Sequence, residues 1–295
     1  MPLMHITFVF FTTRKKPYKK RGLRLLNLRT LSRQYGTVTN LYIQAKLQFH
    51  TILDQIFPEY RGVFGDLFSK VSLKILKEFP TSEDVLMAGE AKIIARIEEM
   101  RIKRSPSWRR EKAAKLMASA KRNPFQQGVY ESQLFSLDMY ITMLLQYQEH
   151  LSSLERQVDV LAEEIEECKI IQSIPGIGER IAATIISEIG EIDRFNHPKK
   201  LVAYAGIDPS VHSSGKFTAT INHITKRGSS RLRHALYMAV LCGIRSSRNK
   251  KLKEYYDRKR NEGKPSKVAM IACVNKLLHW IFAILKRNEQ FLDLA

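Results

Sequence analysis

Cysteine is scarce in this chain. Only Cys168, Cys242 and Cys273 occur in 295 residues, far apart and with no CxxC spacing. An odd number at such separations indicates neither a disulfide framework nor a zinc site, and all three are expected to be reduced core thiols of a cytoplasmic protein. Long apolar runs are also lacking, and no stretch reads as long enough to span a membrane. The apolar segment Ile6–Phe11 is followed by basic residues with no small-residue cleavage site, which argues against a secretory signal. Acid is missing from the start of the chain. No Asp or Glu precedes Asp54, whereas Arg14, Lys15, Lys16, Lys19, Lys20, Arg21, Arg24, Arg29, Arg33 and Lys46 all do.

What is present is an excess of positive charge. Lys and Arg number 49 against 29 Asp and Glu, a formal charge of +20. Such an excess favours a polyanionic partner, because each phosphate contact releases a condensed counterion. Charge alone does not separate DNA from RNA or from an anionic membrane surface. Hydrophobic residues make up 44% of the chain, enough for a real core, and the length suits two domains or one domain with long helical connectors.

The hydrophobic period predicts a mainly α protein. Residues 1–22 read as an irregular basic leader, with Pro17 and Gly22 breaking any long helix. Residues 23–132 read as a helical linker region. Within it Leu28, Tyr35, Tyr42, Phe49 and Ile56 recur every seventh residue, with Leu31, Val38, Ala45 and Ile52 interleaved, until Pro58 stops the pattern. Pro80-Thr81-Ser82-Glu83-Asp84 reads as a helix start, and Ser105-Pro106-Ser107 and Asn123-Pro124 as turns. Residues 133–170 read as one coiled-coil helix. Leu137, Leu144, Leu151, Val158 and Ile165 form one stripe, and Tyr140, Tyr147, Leu154, Leu161 and Cys168 the other. Pairing between copies and an intramolecular hairpin with the first stripe bury the same residues, so both stay open. Residues 171–295 form a C-terminal domain ending in an amphipathic helix after Pro265.

Two local signals in that domain point to phosphate. Ile174-Pro175-Gly176-Ile177-Gly178-Glu179-Arg180 leads into an apolar helical run and resembles a helix-hairpin-helix motif. Gly176 and Gly178 permit a tight turn and close backbone approach, and the helix that follows offers free N–H groups to a phosphate. The plainer alternative is a tight turn with glycine chosen for packing. Lys226-Arg227-Gly228-Ser229 is a basic turn with a serine cap, which suits a phosphate clamp as well as a solvated surface turn. Arg245, Arg248, Lys250, Lys251 and Lys253 form a solvated or DNA-facing helix edge. His212, His223 and His234 have no spacing that suits a metal site.

The ordered series PGIG at Pro175, RF at Arg194, LVAYAGIDP from Leu201, SGK at Ser214, TKRG from Thr225 and LRHALY from Leu232 resembles the C-terminal domain of the IS-one-ten insertion-sequence transposases. Pilin-gene-inverting recombinases belong to the same group. The likeness runs from about Ser173 to the C-terminus, and a weaker one covers Leu23–Pro58. It implies a serine in the SG element that attacks a DNA phosphodiester, here Ser214, with Ser213 as the neighbouring alternative. Lys216, Lys226, Arg227, Arg231 and Arg233 would hold the scissile phosphate. It also implies an N-terminal nuclease-like domain whose four acids hold a divalent metal such as magnesium, and a guide RNA as second partner. Residues 1–22 are too short for that domain and carry no carboxylate, so a truncated member is expected, with no cofactor of its own and with recombination dependent on a partner chain. The competing readings are a dimeric DNA-binding regulator of a full-length transposase, assembled through the coiled coil, and a structural nucleic-acid module, which explains PGIG but not the SGK and TKRG series.

Overall fold

A computed structural model describes residues 20–124, 131–210, 213–214, 217–218, 223–245 and 249–292. Eleven helices run through them: α1 Lys20–Ile56, α2 Lys70–Glu78, α3 Ser82–Glu99, α4 Pro106–Arg122, α5 Glu131–Glu163, α6 Glu166–Gln172, α7 Glu179–Ile189, α8 Pro198–Ala205, α9 Ser230–Arg245, α10 Lys250–Asn261 and α11 Ser266–Arg287. Two short strands, β1 Ser213–Ser214 and β2 Phe217–Thr218, pair antiparallel between α8 and α9. The mainly α class expected from the hydrophobic period is therefore found. The chain separates into a middle unit, Arg33–Glu155, and a C-terminal unit built from Met1–Ser32 and Arg156–Ala295, so the division falls inside α1 and inside α5.

The middle unit closes around aromatic rings. Phe49, Phe57 and Tyr60 are fully buried, and the Tyr60 hydroxyl donates to the Ser72 carbonyl at 2.7 Å. Burial lifts that phenol above its usual titration range. Local signals set its helix boundaries. Pro58 follows the end of α1 and opens a 3-10 turn. Thr81 and Asp84 make a reciprocal capping box at α3, and Ser105 caps α4 ahead of Pro106. Inside this unit α1 and α5 run antiparallel, since Gln133 donates to Gln55 at 3.1 Å and Gln148 to the Tyr42 hydroxyl at 2.9 Å. Ala45, Phe49 and Ile56 of the first stripe share a core with Leu137 and Leu144 of the second. That is the packing of an intramolecular helical hairpin.

The second stripe does not continue as one helix through residue 170. It breaks at Glu164–Ile165, where Ile165 leaves helical geometry with φ −107° and ψ 108°. The new start at Glu166 places Glu166 and Glu167 at the positive N-terminal end of α6, where carboxylates are favoured. At the other end of the chain, α1 starts at Lys20, so Gly22 lies in its first turn rather than ending a helix there.

In the C-terminal unit α7, α9 and α11 surround a core of Ile185, Ile186, Leu232, Leu236, Val274 and Leu278, which Leu25 and Leu28 of α1 join. The expectation that no run could span a membrane is corrected by α11, which is long and apolar enough by composition, with a mean hydropathy of 1.9 over 18 residues. Here it is packed against protein, with Ala269, Met270, Cys273, Val274, Leu277 and Ile281 in the core. The three thiols also divide. Cys168 and Cys273 are buried, and desolvation pushes them up to about 12 and about 11. Cys242 is exposed, contrary to the expectation of three core thiols, because it lies on the outward side of α9.

Candidate nucleic-acid interface

The chain leaving α8 folds back against the chain entering α9. Gly206 caps α8 in the left-handed region at φ 66°. Beyond it the amide of Lys226 donates to the Gly206 carbonyl at 3.0 Å, and that of Thr225 to the Asp208 carbonyl at 2.9 Å. Pro209 bridges Ile224, and the Ser210 amide reaches the His223 carbonyl at 2.7 Å. The Thr225 hydroxyl also donates to the Asp208 carboxylate at 2.7 Å. Within the segment that this ladder closes, β1 and β2 pair Ser213 with Thr218 and Ser214 with Phe217. The two candidate nucleophiles therefore share a short antiparallel hairpin. Their side chains lie outside the described residues, as do Lys216 and His212.

The base of the ladder is a close contact between backbones. A Cβ on Gly228 would lie 2.0 Å from the Tyr204 carbonyl oxygen and 2.6 Å from the Gly206 amide. Only glycine fits, and the TKRG turn is pressed onto the end of α8. Arg233 fastens it, its guanidinium donating to the carbonyls of Ala205 at 2.9 Å and Gly228 at 3.3 Å. Ser229 caps α9 by accepting from the Leu232 amide at 3.2 Å, and its hydroxyl donates to the Glu188 carboxylate at 2.9 Å. Glu188 is only 1% exposed. The Tyr204 hydroxyl donates to the Glu188 carbonyl at 3.0 Å, and Arg29 of α1 donates to the Ser187 carbonyl at 2.5 Å. The backbone of the turn is thus fixed from α1, α7 and α8 while the side chains of Lys226, Arg227 and Arg231 are exposed. Of the basic residues expected to hold phosphate, Arg233 is committed to the fold and these three face outward.

The PGIG turn connects α6 to α7, and its two glycines face different surroundings. Gly176, at φ 103°, lies against α9, and a Cβ there would come within 2.7 Å of Gly243 Cα and 2.8 Å of the Ala239 carbonyl. Asn249 locks the same corner. Its amide donates to the Pro175 carbonyl at 3.2 Å, and its side-chain oxygen accepts from the Leu252 amide, which starts α10. A Cβ on Gly178 meets nothing within 4 Å. Gly178, Glu179 and Arg180 are exposed, and Gly178 is the N-cap of α7. Gly176 answers to helix packing, and the open face belongs to Gly178.

Sequence reasoning missed Glu188, Asp208 and Asn249, whose partners are 41, 17 and 74 residues away. The one available signal was an acid inside the apolar run of α7, Ile185-Ile186-Ser187-Glu188-Ile189, where burial demands a hydrogen-bond donor. Among the described residues no group of three or more His, Cys, Asp or Glu side chains is placed to hold a metal ion, so the residues here do not fit a divalent-metal centre. Positive charge is concentrated in this part of the chain, with 21 Lys and Arg against 6 Asp and Glu in residues 194–295.

With this geometry in place, comparison with known proteins is direct. Residues 168–257 match the family described as Transposase IS116/IS110/IS902 family. The chain is 31% identical over 156 residues to the transposase for insertion sequence element IS1111A of Coxiella burnetii, covering 52% of this chain and 43% of that protein. It is 30% identical over 122 residues to the pilin gene-inverting protein of Moraxella bovis, covering 41% of this chain and 38% of that one. It is 28% identical over 138 residues to an uncharacterized 43.6 kDa protein of insertion element IS110 from Streptomyces coelicolor, covering 47% and 33%. The aligned part spans less than half the length of each of these relatives.

Proposed function

We propose that the C-terminal unit, whose residues 168–257 match the IS116/IS110/IS902 transposase family, cuts and rejoins the DNA strands of an insertion sequence through a serine nucleophile. One observation carries the reading. The Ser213–Ser214 strand lies in the segment between α8 and α9 that a backbone ladder of Gly206–Ser210 against His223–Lys226 closes at its base, beside the exposed cations Lys226, Arg227 and Arg231 and inside the segment that matches the family.

The hydroxyl oxygen of Ser214 attacks the phosphorus of a DNA phosphodiester. A serine–phosphate ester forms, the bond from phosphorus to one deoxyribose oxygen breaks, and the departing oxygen takes up a proton as the serine loses one. Attack by the hydroxyl of another DNA end restores the phosphodiester and frees the serine. Lys226, Arg227 and Arg231 stabilise the charge that accumulates on the phosphate oxygens, and their turn needs no reorganisation because Gly228, Ser229 and Arg233 already fix it. The open start of α7 at Gly178 holds a neighbouring phosphate in helix-hairpin-helix fashion, positioning the duplex without reading its sequence. A guide RNA as second polyanion, assembly into homo-oligomers and action in the cytoplasm complete the proposal. The family likeness implies a nuclease-like domain whose acids would hold magnesium, and among the described residues no group of His, Cys, Asp or Glu is placed to do so.

The test is a covalent adduct. The purified chain is incubated with supercoiled DNA carrying the element's ends, with and without a full-length relative, and protein–DNA adducts are resolved on denaturing gels. An adduct that disappears in Ser214→Ala and persists in Ser213→Ala supports the reading. Tight binding with no adduct under either condition replaces it with a non-enzymatic DNA-binding protein.

A further inference from the structure

A second cationic surface lies away from the serine hairpin, on α10 and α11. Lys251, Tyr255 and Arg258 share one face of α10 at spacings of four and three residues, and Lys276 of α11 completes a shallow depression of about 240 Å³ with Glu254 at its edge. The Tyr255 ring organises the cations. Lys276 Nζ sits 4.5 Å from its centroid, the Arg258 guanidinium 5.0 Å and Lys259 Nζ 5.6 Å. Lys276 is also 5.4 Å from the Trp280 ring one turn further along α11. Two other cations of α10 pair with acids, Lys253 with Asp257 at 2.5 Å and Lys259 with Glu262 at 2.8 Å. Arg258 and Lys276 each lie beside an aromatic ring, which attracts a cation without cancelling its charge.

We propose that this face binds the phosphodiester backbone of DNA, in addition to the basic turn. The inference rests on the reading of the chain as DNA-acting, and it adds a contact surface that includes residues beyond the matched segment 168–257. The chemistry favours backbone over bases. Three cations already surround the Tyr255 ring, which leaves little of it for a base to stack on, while the charged heads of Arg258 and Lys276, both held within about 5 Å of one ring centroid, suit phosphate oxygens. Contacts of this type make affinity depend on salt and not on sequence.

The experiment uses the full chain and a fluorescent DNA duplex of arbitrary sequence, about 40 base pairs long, with affinity measured across a range of salt concentrations. For Arg258→Glu/Lys276→Glu, affinity is expected to fall about tenfold or more, and the slope of log affinity against log salt to become shallower by about 2. Lys264→Glu/Lys267→Glu changes net charge equally at exposed positions off the depression and is expected to do much less. Tyr255→Ala is expected to weaken binding about threefold by releasing the cations, and Tyr255→Phe to leave it unchanged. If the double reversal lowers the unfolding temperature, Arg258→Gln/Lys276→Gln replaces it. Equal losses in the two reversal pairs, or wild-type affinity in Arg258→Glu/Lys276→Glu while Arg227→Ala/Arg231→Ala loses binding, overturns the inference and leaves the proposed function standing. A chain that binds no duplex at low salt overturns both, and preference for an RNA duplex moves the surface to a different partner and overturns it as stated.

Discussion

The two units of this chain handle charge in opposite ways. Residues 33–155 carry 17 Lys and Arg against 14 Asp and Glu, whereas the rest of the chain carries 32 against 15. In the middle unit several cations are matched by acids: Arg61 with Asp54 at 2.6 Å, Lys77 with Asp138 at 2.9 Å, Arg109 with Glu98 at 3.1 Å, and Arg96 with both Glu78 and Glu99. Exposed pairs of this kind add little stability, but they cancel the field around the surface. In the C-terminal unit Lys226, Arg227 and Arg231 are exposed on a turn whose backbone is fixed from inside. The packing differs in the same sense. The middle unit fills its core with aromatic rings, while the C-terminal unit brings backbones together at glycines. The first is built as a scaffold and the second as a rigid display of positive charge.

The sharpest way to break this contrast is to add one methyl group. Gly228→Ala drives a Cβ into the Tyr204 carbonyl and is expected to cost about 3 kcal/mol or more in chemical denaturation, with loss of DNA binding. Gly65→Ala in the middle unit meets open space and is expected to change stability by less than about 0.5 kcal/mol. Comparable losses at the two positions would show that close backbone contact is not what distinguishes the units. Next in size is Glu188→Ala, which removes a buried carboxylate and strips the acceptor from the half-buried Ser229 hydroxyl. A loss of about 2 kcal/mol is expected, with Glu188→Gln recovering part of it because its amide oxygen still accepts from Ser229.

How much of this was legible depends on how local each interaction is. Pro58, Thr81, Ser105 and Pro265 mark helix boundaries because capping acts within three or four residues, and the structure places boundaries at each of them. The break at Ile165 interrupts the heptad pattern without a proline or glycine to announce it, and a heptad count has no signal for it. Glu188 and Ser229 meet from 41 residues apart, and no periodicity brings them together. Composition cannot separate α11, whose apolar residues face a core, from a membrane-length helix. The series PGIG, LVAYAGIDP and TKRG marked the C-terminal unit from sequence, yet the division of labour between Gly176 and Gly178, and between Arg233 and its exposed neighbours, depends on what packs behind them.

A smaller effect sharpens the electrostatic side. Arg227→Ala/Arg231→Ala is expected to weaken duplex binding about tenfold, which is about 1.4 kcal/mol, whereas Arg96→Ala in the middle unit shifts it less than twofold in the same anisotropy titration. Equal effects would mean that net charge alone governs binding. The smallest expected signal is chemical. A thiol reagent at pH 8 labels Cys242 rapidly and reaches Cys168 and Cys273 only on unfolding. Burial raises the pKa of both buried thiols, to about 12 and about 11, so the stability that comes from keeping them neutral is full below about pH 9 and is lost as pH rises through those values. Rapid labelling of all three in the native state would contradict the packing of the C-terminal unit.

The most direct measurement of the central claim is the site of attachment. DNA carrying the element's ends is trapped in covalent complex with the chain and a full-length relative, digested with protease and nuclease, and the nucleotide-linked peptide is sequenced by tandem mass spectrometry. Attachment at Ser214 is the expected result, and attachment at Ser213 moves the nucleophile by one position in the same strand. Recombined DNA with no linked peptide, or linkage to a residue outside this pair, would contradict a serine nucleophile on the β1–β2 hairpin.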